Sequence, residues 1–323
     1  MPARRNAAFA FLMGVSLAAC GGTSTGRAMQ HKIGLVYFAP EEGADTCMKG
    51  LFDGLKEQGI EEGVNLEVRR AHAQAEIANI PQMIQNYDGS DVDVIVAMTT
   101  PVLMAAASVA RSKPVVFTYV YDPIAAGAGK SPTDHLPHVT GVSSFPPVQD
   151  TVDTIQRLVP GVRSVGTLYN SSEANSVKVM GVARAIFEQR GIKLQEIAIT
   201  GTSEILQAAQ VLTQRGVQAL WVTGDNTAIQ GFDSIVRAAR DAKLPLIIND
   251  PEFVQRGALI AVGIGWYETG KAASKVLARV LRGEQPRNIP FEEVAVKKLV
   301  LNQEVAKALG IRFPPAMTQA APQ

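Results

Sequence analysis

Cysteine is almost missing from this chain: Cys20 and Cys47 are two among 323 residues. That number rules out a disulfide framework and a cysteine-rich metal cluster. Histidine is scarce too, with four in all. His135 and His138 stand three apart, too close for two ligands on one helical face at i, i+4, and no acidic or cysteine cluster completes them, so no metal is expected. Neither sign of charge dominates. Lys and Arg number 31 against 30 Asp and Glu, giving a net charge of +1. No basic patch marks a nucleic-acid surface. Catalytic and nucleotide motifs are missing as well. Gly127–Ser131 reads GAGKS, but the glycine a phosphate loop needs five positions before Gly129 is Ile124. Gly263–Gly270 reads GIGWYETG, and the third glycine of a dinucleotide fingerprint is replaced by Glu268. The one G-x-S-x-G, Gly22–Gly26, lies in the Gly/Ser/Thr-rich stretch after Cys20 rather than between an apolar strand and a helix. No cofactor is expected, and no enzymatic activity.

Beyond the N-terminus no apolar run is long enough to cross a bilayer, which takes roughly 20 residues. At the N-terminus there is a shorter one. Arg4 and Arg5 precede the run Ala7–Ala19, broken only by Gly14 and Ser16, and small residues then lead to Cys20. A charged start, a short apolar stretch and small residues form the layout of a secretory signal peptide. The tetrad Leu17-Ala18-Ala19-Cys20 resembles a bacterial lipobox, which implies cleavage before Cys20 and a lipid on that residue. Residues 1–19 are thus expected to be a signal peptide and residues 20–31 a lipidated Gly/Ser/Thr-rich tether. Cleavage would remove Arg4 and Arg5 and leave a net charge of −1. The remaining cysteine, Cys47, falls on the apolar face of an expected helix and reads as a buried thiol.

The rest alternates strand and helix. Lys32–Phe38 is a short apolar strand. Ala44, Cys47, Met48, Leu51, Phe52 and Leu55 then recur at helical spacing. Val92–Met98 and Lys113–Val120 are near-continuous apolar runs, which suit a parallel sheet covered on both faces. A Gly- and Pro-rich stretch, Asp122–His138, interrupts the rhythm, and a second βα series follows from Val148 to Leu281. Two successive series predict an α/β protein of two doubly wound parallel-sheet lobes. Ligands of such folds sit beyond the carboxyl ends of the strands, here in a cleft between the lobes.

Polar and aromatic residues gather at those strand ends. Thr99 and Thr100 precede a helix opening at Pro101, whose free N–H groups suit a carboxylate. The loop Tyr169–Val177 carries Asn170, Ser171, Ser172, Glu173, Asn175 and Ser176, more polar side chains than one helix cap needs. Asp225 with Asn226, and Asn249 with Asp250, end two later strands, where an acid would either hold an ammonium or cap the next helix. Phe38, Tyr119, Tyr121 and Asp122 complete the set. Hydroxyls, acids and aromatic faces fit a zwitterion with an apolar side chain, although a sugar would also use Asp, Asn and aromatic stacking. Asp225 is expected to hold the ammonium, and the Ser171–Ser176 loop with Thr99 or Thr100 the carboxylate. An enzyme would need an acid pair such as Asp225 and Asp250 close together with separated pKa values.

The stretches KGLFDGLKEQGIEEGVNLEV, VDVIVAMTTP, PVVFTYVYDPIAAG, VTGVSS, LYNSSEANSV, DNTA and RGALIAVGIGWYETGKAA together resemble the ABC-transporter substrate-binding lipoproteins of the tryptophan/tyrosine-binding type, over about Ile33 to Pro314. The resemblance implies a type I periplasmic binding protein fold with a three-crossover hinge. Lobe 1 is then expected at 32–143 and 264–288, and lobe 2 at 144–263 and 289–318. It implies an extracytoplasmic monomer of the cell envelope, anchored in a membrane by lipid, that hands a small solute to an ABC permease and its ATPase. An aromatic or other apolar amino acid is the expected solute; a receptor-coupled sensor, or a sugar or nucleoside binder, are the alternatives. Ligand contacts are implied at Thr99, Thr100, Ser172, Glu173, Asn175, Asp225 and Asn226, with Asp250 a further candidate. One departure stands out: where the family often has Gln or His after the first strand, this chain reads YFAPEEGAD.

Overall fold

A computed structural model describes residues 31–320. The expected signal peptide, Cys20 and all of the expected tether but His31 lie outside the described residues. His31, placed in the tether from sequence, is the first residue of a strand.

The first series is β1 (His31–Tyr37), α1 (Glu42–Glu57), β2 (Leu66–His72), α2 (Ile80–Asp88), β3 (Val94–Met98), α3 (Thr100–Val109), β4 (Val115–Val120) and β5 (Val139–Ser143). The second is α4 (Val148–Leu158), β6 (Ser164–Asn170), α5 (Ala174–Gln189), β7 (Lys193–Ile199), α6 (Ile205–Gln214), β8 (Ala219–Val222), α7 (Asn226–Gln230), α8 (Phe232–Asp241), β9 (Leu246–Ile248) and β10 (Ile260–Ile264). The chain closes with α9 (Trp266–Leu281), β11 (Glu292–Glu293), β12 (Lys297–Leu301), α10 (Gln303–Leu309) and α11 (Pro315–Ala320).

Two six-stranded sheets result, ordered β2-β1-β3-β4-β5-β11 and β7-β6-β8-β9-β10-β12. Pairing is parallel except at β10–β12. β3, β5 and β10 are buried at every residue, as expected of strands covered on both faces. In each sheet the order reverses beside the first strand, between β1 and β3 and between β6 and β8. A reversal sends the flanking helices to opposite faces and opens a crevice at the carboxyl ends. The helical stretch between β8 and β9 is two helices, α7 and α8, broken at Gly231. A Cβ there would lie 2.3 Å from Ile205 Cδ1, so α6 packs against the break itself.

The chain passes between the sheets three times, after β5, after β10 and after β11. The connections are tied together: Ser144 and Thr269 hydroxyls meet at 2.9 Å, and the Gly265 N–H donates to Val296 O at 2.8 Å. α9 returns to the first lobe and lies on α1. Their backbones nearly touch, since a Cβ on Gly270 would stand 1.9 Å from Cys47 O and one on Gly50 2.0 Å from Tyr267 O. The third crossing corrects the expected boundary near Gln285–Ile289. Glu292 and Glu293 pair with Val142 and Ser143, Thr140 Oγ1 donates to Ile289 O at 2.8 Å, and the Phe291 ring meets Phe117 edge-on at 4.9 Å. Residues 289–293 therefore belong to the first lobe, and only β12 onward joins the second.

Candidate functional site

The two crevices face each other and line one cavity, a usual place for a small-molecule site. The first lobe supplies Phe38, Ala39 and Glu41 after β1, Thr99 and Thr100 after β3, and Tyr119 and Tyr121 around the end of β4. The second supplies Asn175 after β6, Gly224, Asn226, Ile229 and Gln230 after β8, and Asp250 after β9. Trp266 at the hinge completes the wall.

Strained backbone marks the first-lobe side. Thr99 has φ 85° and Tyr119 φ 59°, in the left-handed region that a β-branched or bulky residue rarely enters. Tyr119 sits where the β4–β5 register slips, and such a bulge re-aims a side chain. Its ring lies 4.2 Å from that of Trp266, and Tyr121 lies nearly parallel to Trp266 at 6.0 Å. Burial holds both phenols well above their usual pKa.

Two acids enter the cavity. Asp250 is 1% exposed, and its Oδ1 accepts the Trp266 indole N–H at 2.5 Å. Burial pushes its pKa up to about 6, against the pull of that hydrogen bond. Glu41 caps α1, accepting from the Gly43 and Ala44 N–H groups at 2.7 and 2.5 Å. Burial first, and then the charge of Asp250, push it up to about 8. Glu252, beside Asp250, is likewise pushed up to about 8 by burial and then by Asp250. Among the described residues, no Lys, Arg or His lines the cavity.

The helix N-termini at the two crevices differ. In the second lobe the first turn of α7 is fully occupied by protein carboxylates. Glu173 accepts from the Asn226 and Thr227 N–H groups at 3.0 and 2.9 Å, from the Asn226 amide, and from the Thr227 hydroxyl at 2.7 Å. Asp225 takes the Ala228 N–H at 2.7 Å, and the Asn170 N–H and Ser176 hydroxyl at 2.6 Å each. In the first lobe the equivalent helix, α3, has no side-chain cap. The Thr99 hydroxyl in front of it is buried without a partner, as is Oδ1 of Asn175 across the cavity. Pro101 carries no N–H, and the N–H groups of Thr100 and Val102 have no acceptor inside the helix.

The sequence-derived candidates therefore divide. Phe38, Thr99, Thr100, Asn175, Asn226 and Asp250 line the cavity. Six others do not. Asp225, expected to hold an ammonium, is a saturated helix cap, and burial followed by the Glu173 charge holds its pKa up. Glu173 and Ser176 belong to the same buried network. Ser171 and Ser172 are exposed. Asp122 holds the turn at Ile124 and Ala125 and pairs with Lys178 of the other lobe at 3.3 Å. Asn249 is also structural, bonded to Trp221, Thr151 and Val262 O. Glu41 and Trp266 were missed as ligand candidates. The signal for Glu41 was position: it follows the first strand, at the point where the sheet order reverses. Cys47 is buried beside the Thr118 hydroxyl, and burial pushes its thiol up to about 12.

The family model for ABC transporter substrate binding proteins matches residues 32–323. A tyrosine-binding protein of Clostridioides difficile (strain R20291) is 26% identical over 283 residues, covering 88% of this chain and 82% of its own. The solved structure of an ABC domain from Streptococcus pneumonia in complex with L-Trp superposes with a TM-score of 0.87 at 31% identity, covering 91% of this chain and 99% of that one. The ligand-free, open structure of a Clostridium difficile substrate-binding protein with adhesive properties superposes with a TM-score of 0.67 at 26% identity, covering 88% and 96%. Two parallel-sheet lobes, three crossings and a match along nearly the whole described chain lead to one assignment: this chain belongs to the ABC transporter substrate-binding protein family, with a type I periplasmic-binding-protein fold.

Proposed function

We propose that the chain captures an aromatic amino acid in the interlobe cavity and delivers it to an ABC permease. The carrying observation is the contrast between the two helix N-termini. Glu173 fills the one at α7, whereas α3 presents N–H groups and an unpartnered Thr99 hydroxyl to the cavity. A ligand carboxylate has the chemistry to satisfy both, aided by the helix dipole. Its ammonium then meets Asp250 from the opposite lobe, and Tyr119, Tyr121 and Trp266 form walls suited to a flat apolar side chain. The tyrosine-binding and L-Trp-bound relatives support the same ligand class. Because the carboxylate and ammonium contacts come from different lobes, ligand favours closure. The greater likeness to the L-Trp complex than to the open structure supports placing this cavity in a closed arrangement.

Thr99→Val keeps the branched shape and removes the hydroxyl. A hydrogen bond to a charged group contributes about 1.5–3 kcal/mol. Titration calorimetry with L-tryptophan should therefore show roughly 10- to 100-fold weaker binding, with little change in melting temperature. Unchanged affinity would take the carboxylate away from α3.

Cys20 is proposed as the lipid anchor that keeps the binder near its permease at high effective concentration. Cys20→Ala should move the protein out of the membrane fraction of its host, or block its processing, while leaving ligand affinity of the purified domain intact. A wild-type protein found wholly soluble would remove the anchor.

A further inference from the structure

We propose that Glu41 enters the ligand complex as a neutral carboxylic acid and so sets the charge the cleft accepts, a specificity role that rests on the amino-acid reading above. Two carboxyl groups, Glu41 and Asp250, line one cavity from opposite lobes, and no basic side chain joins them. A zwitterionic ligand adds one ammonium and a third carboxylate. With every acid ionised, one cation would face three anions in a closed space, where like charges repel strongly. Asp250 has a donor in the Trp266 indole and suits the ammonium. Glu41 is the acid left over.

The surroundings of Glu41 contain no cation free to neutralise it. From the second lobe it faces Asp250 and, behind it, Glu252, both acidic. Tyr119 of β4 brings a phenol to its carboxyl, and Cys47 and Asp45 lie on its own helix. Arg256 borders the outer rim with Glu41, but it is divided between Glu42 at 3.3 Å and Asp233 at 2.8 Å. Lys298, near Glu252, is paired with Glu268 at 2.6 Å. Burial raises Glu41 toward the neutral form, in keeping with the geometry. The site is more than an acid cluster: the Thr99 hydroxyl and Asn175 Oδ1, both on residues more than nine-tenths buried, lie without partners on its wall.

The consequence for binding has a definite sign. In the open protein Glu41 is solvated and ionised at neutral pH, so closing on ligand takes up a proton. Affinity then falls as pH rises, by about tenfold per unit where a whole proton is taken up. The test is L-tryptophan binding to wild type and Glu41→Gln between pH 6 and 8.5, by calorimetry in buffers of different ionisation enthalpy. Glutamine keeps an oxygen for the Gly43 and Ala44 N–H groups and mimics the neutral acid. Wild type should take up close to one proton and lose affinity as pH rises. Glu41→Gln should bind within a few-fold of wild type at pH 6, take up none, and hold its affinity at pH 8.5. Absence of proton uptake by wild type overturns the proposal, even if the variant fails to fold. So does a folded Glu41→Gln that binds 30-fold more weakly, or one that keeps the wild-type pH profile. If wild type binds neither L-tryptophan nor L-tyrosine, the amino-acid reading fails by itself. In the complex with L-tryptophan at pH 7, an infrared carbonyl band of a protonated carboxyl, present in wild type and missing in Glu41→Gln, supports a neutral Glu41, and a missing wild-type band overturns it.

Discussion

Asp250→Asn should weaken L-tryptophan binding by roughly 30-fold or more while leaving the unliganded protein at least as stable as wild type. Removing one member of a desolvated charge pair costs about 2–5 kcal/mol, and each 1.4 kcal/mol is tenfold. Asparagine still offers an oxygen to the Trp266 indole, so the packing of α9 is kept. The stability half follows from the pKa. Asp250 is raised to about 6 in the fold, above an ordinary value near 3.9. Its stabilising share is complete below the ordinary value and is lost as pH rises through about 6, so at pH 7 the ionised form is a burden that asparagine relieves. Asp225→Ala should do the reverse. It strips the partner from the Asn170 N–H, the Ser176 hydroxyl and the Ala228 N–H. Each unpaired buried donor costs about 1–3 kcal/mol, so the melting temperature should fall by several degrees. Calorimetry and thermal melts on both variants check the pair. If Asp225→Ala binds 30-fold worse at unchanged stability while Asp250→Asn binds normally, the two acids have been assigned the wrong way round.

Gly224→Ala should leave the open protein intact and obstruct closure. A Cβ at Gly224, in the second lobe, would stand 1.9 Å from the Tyr121 hydroxyl and 2.7 Å from its Cζ, in the first. Tyr121 has little room to retreat, since it is 6% exposed and packed beside Trp266 and Phe145. Overfilling a packed site costs about 1–3 kcal/mol. Here that cost falls on the closed state alone, so affinity should drop roughly tenfold to a hundredfold. In small-angle scattering, ligand should shrink the radius of wild type and shrink that of Gly224→Ala less. Adding Tyr121→Phe removes the hydroxyl and should recover part of the affinity. Closure of Gly224→Ala at wild-type ligand concentrations would mean the lobes do not meet at this point.

The fold was legible because its signals are periodic and long. The apolar run Val92–Met98 suits a strand buried on both faces, and β3 lies within it, while the α1 stripe from Ala44 to Leu55 repeats at helical spacing. β11 was not legible: two glutamates give no period, and their strand character comes entirely from pairing with β5. The site was half legible. Position at a strand end led to Thr99, Asn175 and Asp250, which line the cavity, because parallel-sheet topology fixes the end of the sheet where such loops gather. It could not separate a ligand-facing acid from a capping one. Asp225 and Asp250 look alike in sequence, each following a short apolar strand. What distinguishes them is tertiary: Asn170 and Ser176 arrive from another loop to saturate Asp225, while Asp250 receives only the Trp266 indole. Glu41 was overlooked for a related reason. An acid before a helix reads as a cap, and Glu41 is one, yet its carboxyl also borders the cavity.

The most direct test of the central claim is titration calorimetry of L-tryptophan into the purified wild-type protein at pH 7. The account predicts saturable binding at one site per chain, with L-tyrosine competing for the same site and neutral sugars giving no heat. Binding of a sugar or nucleoside with no response to either aromatic amino acid would contradict it.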